Sequence, residues 1–284
     1  MINSVQLYKK NLLLAQNIRT MKQGICSLSL LPLRSEPSSK SEMVTQLLFG
    51  EIYNILEERE EWFFVENQSD KYKGWINHLQ FEPLLELPLT SKLLNNFPFV
   101  INNFPFVKAL NLEKNENVLL PTAAIVYDLY LEEQQFHFRL NGIRYLVQTE
   151  TKIENFSTMS DVLKLAMQFL NVPYLWGGKS AFGIDCSGFT QVLYKTMGIQ
   201  LPRDAWQQAA IGKSKTFLEE ILAGDLLFFG DEAEKITHVG MAIGDNKIIH
   251  AAGKVRIDAL DSYGIFNVEK KKHTHILRNI RQIV

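Results

Sequence analysis

The sequence predicts a multi-domain chain: two small all-β barrels in series, then an α+β domain. Three observations carry this. At 284 residues the chain is too long for one ordinary domain. Short apolar segments separated by turn-type clusters recur over 22–85 and again over 109–152. From about 155 the period shifts to that of helices, and from Asp225 it returns to strands.

In the first segment the strand candidates are ICSLSLLPL, MVTQLLF, EIYNILEE, EWFFVEN and KGWINHL, with turns at Arg34–Ser41 and Asn67–Lys73. Such spacing suits a small barrel. The order LPLRSEPS, LLFGE, EEWFFVEN, DKYKGWIN resembles a bacterial SH3-like domain. Residues 86–108 read as a linker holding a tandem copy of NNFPFV, at 95–100 and 102–107, to which no function is assigned. Residues 109–152 read as a second, smaller SH3-like barrel, with Asn141-Gly142 a two-residue hairpin turn.

Residues 153–284 form the third unit. Val162, Leu163, Leu165, Ala166, Phe169 and Leu170 make one apolar stripe of a helix over 159–170, with Ser160 as its N-cap and Asp161 at the positive end of its dipole. A second helix is predicted from Cys186 to Met197, stopped by Gly198 and followed by Pro202. DLLFFG, THVGMAIG, KIIHAAG and HILRNI read as strands.

Composition excludes several classes. Lys plus Arg is 30 and Asp plus Glu 31, a net charge of −1. That lacks the positive surplus of a nucleic-acid or polybasic membrane binder. The two cysteines, Cys26 and Cys186, form neither a disulfide framework nor a metal-binding knuckle. No metal or cofactor is expected, and a reducing compartment suits them. Residues 1–21 hold only a four-residue apolar run, Leu12–Ala15. A secretory signal needs about 7–15, and no stretch approaches a membrane span. The expectation is a cytoplasmic, monomeric protein. Residues 1–21 read as a short helical extension or as sequence upstream of a true start at Met21, which the strand-like alternation from Lys22 suits.

Cys186 follows Asp185 at the expected start of a helix, where free amides and the dipole favour an anion and lower a thiol's pKa. Downstream, His238, Gly240 and Ala242 share one strand face. If Gly244-Asp245-Asn246 is the loop, Gly240 pairs with His250, which then lies diagonal to His238 across a position without a side chain. A one-residue bulge would break that register. Two histidines so placed suit a base and its orienter.

The order Cys, His, polar orienter is that of papain-like thiol peptidases. Residues 170–260 resemble the NlpC/P60 cell-wall cysteine peptidases. The matching motifs are Pro173-Tyr174-x-Trp176-Gly177-Gly178, Asp185-Cys186-Ser187-Gly188-Phe189, Leu201-Pro202-Arg203, Gly224-Asp225-Leu226-Leu227-Phe228-Phe229, His238-Val239-Gly240 and Ile249-His250-Ala251. The resemblance implies Cys186 as nucleophile, His238 as base, His250 as its orienter, and Tyr174 as an oxyanion donor beside the Cys186 amide. With the SH3-like modules it implies hydrolysis of the γ-D-Glu–diamino acid bond in murein stem peptides bearing a free N-terminal L-Ala. Asp185 is then a candidate partner for the substrate ammonium, with Tyr72 and Glu42 as candidates from the first barrel. Ser187 and Arg203 are candidates for the D-Glu α-carboxylate, with a plain surface role for Arg203 as the alternative. A secreted murein hydrolase or amidase, and a non-catalytic wall-peptide binder, are the competing readings. Cys26 reads as core, Asp225 as a turn anchor, and His273-x-His275 as a solvated strand edge.

Overall fold

The structure, a computed structural model, describes residues 23–85, 98–148, 156–230 and 235–284. The expected extension at 1–21, the Met21 start and the first half of the first NNFPFV copy, residues 95–97, lie outside them.

Six strands form the first unit: β1 (Gln23–Ile25), β2 (Leu30–Arg34), β3 (Met43–Leu48), β4 (Ile52–Arg59), β5 (Trp62–Asn67) and β6 (Lys73–Asn77). They are ordered β1-β4-β5-β6-β2-β3. In β5 the alternation WFFVEN turns Phe63 and Val65 inward, where they meet Leu31, Leu33, Leu47, Tyr53, Ile76 and Cys26. Cys26 is thus core, as expected.

The second unit has strands β7 (Phe99–Val100), β8 (Phe106–Asn111), β9 (Glu116–Pro121), β10 (Ile125–Glu132), β11 (Gln135–Leu140) and β12 (Ile143–Gln148). Its order, β7-β10-β11-β12-β8-β9, repeats that of the first sheet strand for strand. The sheet opens at Phe99, inside the segment read as a linker. The described part of the first NNFPFV copy supplies β7, paired with β10, and the second copy starts β8, paired with β9. Between them Ile101 is buried, and Phe104 packs edge-on against Phe169 of the third unit, centroids 4.7 Å apart. The repeat looked like a connector because two-residue strands carry no readable period. Asn141 and Gly142 both adopt positive φ, the hairpin turn expected there.

The two sheets dock through the β3–β4 corner. Phe49 sets its ring edge-on to Phe138 and Tyr145 of the second core, and its carbonyl accepts from the Ile125 amide at 2.9 Å. Gly50 has φ +82°, and a Cβ there would stand 2.0 Å from the Ile125 oxygen, so this approach requires glycine.

The third unit begins with α1 (Met159–Gln168), capped by Thr158 rather than the expected Ser160; the Thr158 hydroxyl accepts from the Asp161 amide. A short hairpin, β13 (Lys179–Ser180) and β14 (Gly183–Ile184), leads to α2 (Cys186–Lys195) and then the single turn α3 (Ala205–Gln208). The remaining strands are β15 (Lys213–Lys215), β16 (Leu226–Gly230), β17 (Ile236–Gly244), β18 (Lys247–Ala252), β19 (Lys254–Leu260), β20 (Gly264–Asn267) and β21 (Lys272–Gln282). Their order is β15-β21-β16-β17-β18-β19-β20, and β20 also pairs with β21, so β16 to β21 close into a six-stranded barrel. Helices α1 and α2 pack on it through Val162, Leu165, Phe169, Phe189, Val192 and Leu193. Asp225 accepts from the Leu222 amide and from Lys215, the turn anchor expected of it.

A buried ionic cluster ties the first unit to α2. Glu51 lies 2.5 Å from Lys195 and 3.7 Å from Lys179, all three almost without solvent contact. Burial opposes the Glu51 charge, but the two ammonium groups outweigh it and hold the carboxyl below its ordinary value. Among the described residues no helix is long and apolar enough to cross a membrane.

Candidate active site

Helix α2 starts at Cys186 because Asp185 caps it: the Asp185 carboxylate accepts from the Gly188 amide at 2.7 Å. A Cβ at Gly188 would stand 2.4 Å from the Gly178 carbonyl oxygen and 2.9 Å from Asp185 Oδ1, so the close approach of cap and helix leaves room there only for glycine. The thiol, 7% exposed, receives the amide of Val239, which brings it against β17 beside His238.

The histidine geometry follows from a register with two compensating departures. The β17–β18 turn has two residues, Asp245 and Asn246, both at positive φ, instead of the expected three, so Gly244 pairs with Lys247. A bulge between Ala242 and Gly244 restores the offset, and Gly240 pairs with His250. A Cβ at Gly240 would stand 2.8 Å from that of His250, so the missing side chain is what admits the imidazole. His238 Nε2 then lies 2.8 Å from His250 Nδ1.

The chain of contacts continues. His250 Nε2 is 3.0 Å from Asp258 Oδ2, and the Arg256 Nε and Nη2 donate to the two Asp258 oxygens at 2.7 and 2.9 Å. Burial works against the Asp258 charge, but the bonds from His250 and Arg256 prevail and keep its carboxyl below the usual range. An ionised Asp258 accepts from His250 Nε2–H; with its proton on Nε2, His250 offers Nδ1 as acceptor to His238 Nε2–H, which leaves His238 Nδ1 as the basic nitrogen. Burial, followed by His250 and His275, pushes His238 well below the ordinary histidine value, so its resting ring is neutral.

The thiol corrects an expectation. Burial pushes Cys186 up to about 11, and the Asp185 carboxylate adds to this; the Val239 amide, Arg203 and the Ser187 amide pull the other way without prevailing. A helix start lowers a thiol's pKa and apolar burial raises it, and at Cys186 burial is the larger effect. The resting pair is therefore thiol and imidazole, and proton transfer accompanies attack.

A cleft of about 510 Å³ opens at Cys186, between the first sheet and the catalytic unit. Tyr174 lines it; burial and the nearby Cys186 raise its phenol further, so the hydroxyl stays a donor. Tyr72 and Glu42 reach it from loops of the first unit. The Tyr72 hydroxyl donates to Asp204 at 3.3 Å, and Glu42 accepts from the Trp176 indole at 2.5 Å.

Asp185, Ser187 and Arg203 sit at its base, committed to one another. Arg203 is 2% exposed, so the surface alternative is overturned. Its nitrogens donate to Asp185, to Ser187 and, across the unit boundary, to Thr45 of β3. Asp185 also accepts from the Gly177 and Gly188 amides, so its lone pairs are filled. Among the described residues no cluster of histidine, cysteine and acid groups could hold a metal.

Four contributors carry no signal of their role in the sequence. Trp176 stands in the Pro173–Gly178 motif without a role of its own. Asp204 follows Arg203 directly and is signalled only by its proximity to the Leu201–Arg203 motif. Asp258 belongs to β19, an Arg-x-Asp alternation in KVRIDAL that the sequence reading did not take as a strand. The solvated edge expected at His273-x-His275 holds for His273, which is partly exposed and bonded to Asp261 at 2.8 Å; His275 instead turns in against His238.

A thiol at the first turn of a helix, bonded to the amide that follows the first of two paired histidines on an antiparallel barrel, is the arrangement of a papain-like thiol hydrolase. The NlpC/P60 family model matches residues 171–274, and the bacterial dipeptidyl-peptidase Sh3 domain matches residues 33–80. The chain is 34% identical over 221 residues to a gamma-D-glutamyl-L-lysine dipeptidyl-peptidase of Bacillus subtilis, covering 73% of this chain and 71% of that one. It is 30% identical over 236 residues to a Bacillus cereus protein of the same name, covering 75% and 68%. The chain belongs to the NlpC/P60 family. A crystal structure of an NlpC/P60 family protein from Bacillus cereus shares the fold, with a TM-score of 0.76 over 92% of this chain and 99% of that one, at 23% identity.

Proposed function

We propose that the protein is a cysteine endopeptidase that hydrolyses the γ-D-Glu–diamino acid bond of murein stem peptides carrying a free N-terminal L-Ala. The observation that carries this is a carboxylate and a phenol from loops of the first unit, Glu42 and Tyr72, lining the same cleft as Cys186. Acidic groups lining a cleft suit an ammonium, which is costly to bury unpaired. The names of the two Bacillus relatives support the substrate class.

Cys186 attacks the γ-carbonyl as His238 Nδ1 takes its proton, and a C–S bond forms. The oxyanion is held by the Cys186 amide and the Tyr174 hydroxyl. His238 returns the proton to the leaving amine as the C–N bond breaks, and water, activated by the same ring, cleaves the thioester. His250 and Asp258 hold the ring in the competent tautomer.

The substrate ammonium goes to Glu42, with Tyr72 and Asp204 beside it; Asp185, its lone pairs filled, contributes its field. Ser187 and Arg203 lie where the D-Glu α-carboxylate is placed, Arg203 acting by charge because most of its donors are engaged. The repeated strand order supports reading the second sheet as a second SH3-like barrel. A cleft built wholly within one chain supports a monomer, and a nucleophile that must stay reduced supports a cytoplasmic role in recycling wall peptides.

The test is hydrolysis of L-Ala-γ-D-Glu-diaminopimelate and its lysine counterpart beside their N-acetylated forms. The free peptides should be cut to L-Ala-γ-D-Glu, acetylation should abolish turnover, and C186A should be inert. Equal cleavage of acetylated peptides or of intact sacculi would overturn the proposal.

A further inference from the structure

The His275 ring stacks on that of His238, with centroids 4.3 Å apart and planes 29° from parallel. His250 meets the same His238 ring edge-on at 5.0 Å and 81°, and Phe229 lies tilted at 6.0 Å. His238 is therefore fixed along its edge by the bond to His250 and across its face by His275. The position of His275 is itself imposed by barrel closure: it pairs with Ile265 across β20–β21, and a Cβ at Gly264 would stand 1.9 Å from the His275 carbonyl oxygen. Only a glycine lets those strands approach there.

We propose that His275 is a positioning residue for the catalytic base, holding the plane of the His238 ring so that one nitrogen faces Cys186 while the other stays bonded to His250. A flat neutral ring suits this task, because the π-face of the neighbour tolerates the imidazolium that forms on His238 during the reaction. Burial, then His250 and Lys270, push His275 down to about 4 against the opposing pull of Asp258, so it is neutral at working pH. The charged and titratable groups around it are His238 on β17, His250 on β18, Asp258 on β19 and Lys270 ahead of β21. Thr274 contacts its Nδ1 at 2.9 Å.

The inference rests on the peptidase reading only in taking His238 as the base, so the test includes a readout that needs no substrate. H275F, H275L and H275A are compared for kcat and KM on L-Ala-γ-D-Glu-diaminopimelate, and for the rate of Cys186 alkylation by iodoacetamide, followed by mass. H275F, which keeps a flat ring, should stay within about twofold of the parent on both measures. H275L, similar in bulk without a flat face, and H275A should lose roughly tenfold in kcat with KM unchanged, the scale of a misplaced reacting group. Alkylation should slow in parallel. If H275A does not fold, the comparison of H275F with H275L decides. If the parent cleaves no such peptide, alkylation alone decides. H275L matching H275F in alkylation, and in kcat where turnover exists, would overturn the proposal.

Discussion

The carboxylate of Asp185 and the guanidinium of Arg203 meet as a buried pair, Nη1 3.1 Å from Oδ1 and Nη2 2.5 Å from Oδ2. Arg203 also donates from Nε to Thr45 at 2.7 Å, so one side chain caps the pocket floor and binds the first sheet to the catalytic unit. R203M leaves Asp185 buried without its partner. Breaking such a pair costs about 3–5 kcal/mol. Urea unfolding should show a loss of that order, and a loss below about 1 kcal/mol would mean that the carboxylate is solvated and the pair only peripheral.

The contact of Asp258 with His250 leads to a catalytic prediction. In D258N the amide can offer N–H or C=O to His250 Nε2, so the tautomer is no longer imposed and a share of His238 rings carries the proton on the nitrogen facing the thiol. The kcat should fall roughly 10- to 100-fold with KM nearly unchanged, the scale of a group acting through the base. A D258N enzyme within about twofold of the parent would remove Asp258 from the relay.

Much of this site was legible in the chain. Cys186 and Gly198 bracket a helix by local rules, and the His238–His250 pairing follows from a strand period of two. A three-residue loop without a bulge predicts the same pairing as the two-residue turn and one bulge that the protein uses, because the two departures cancel. Asp258 and His275 could not be read because each depends on non-local register: β19 against β18, and the closure of β21 on β20. The commitment of Arg203 to Asp185 was equally hidden, since it needs Thr45, 158 positions away, to fix the guanidinium. Periodicity reports which face of an element is apolar; it carries no information about which distant polar group will be waiting there.

Burial of Cys186 sets its pH response. With the thiol near 11 and His238 neutral, the rate of alkylation by iodoacetamide should keep climbing beyond pH 8.5, where an exposed cysteine is already half ionised. The H238A variant should react more slowly at pH 7, lacking the base that accepts the proton. A parent rate that is already flat from pH 6 to 9 would show a preformed thiolate–imidazolium pair and contradict the neutral resting state.

Stability should fall on acidification through the same imidazoles. His238 and His275 are both depressed below the ordinary histidine value of 6.5, His275 to about 4. Below pH 6.5 the unfolded chain binds protons at these positions that the folded protein refuses, so ν_U exceeds ν_N and unfolding becomes easier as pH falls. For His275 that contribution is complete once pH drops under about 4, where the folded ring titrates as well. The depressed carboxyls of Glu51 and Asp258 add their losses only below their unfolded values of 4.5 and 3.8. The interval from pH 6.5 to 4.5 is therefore the histidine window. Urea unfolding at several pH values across it should give a declining free energy, and H275F, with one refused proton fewer, should make the decline shallower. A slope that H275F leaves unchanged would show that His275 takes up its proton in the folded state as readily as in the unfolded chain, contrary to the depression that its burial imposes.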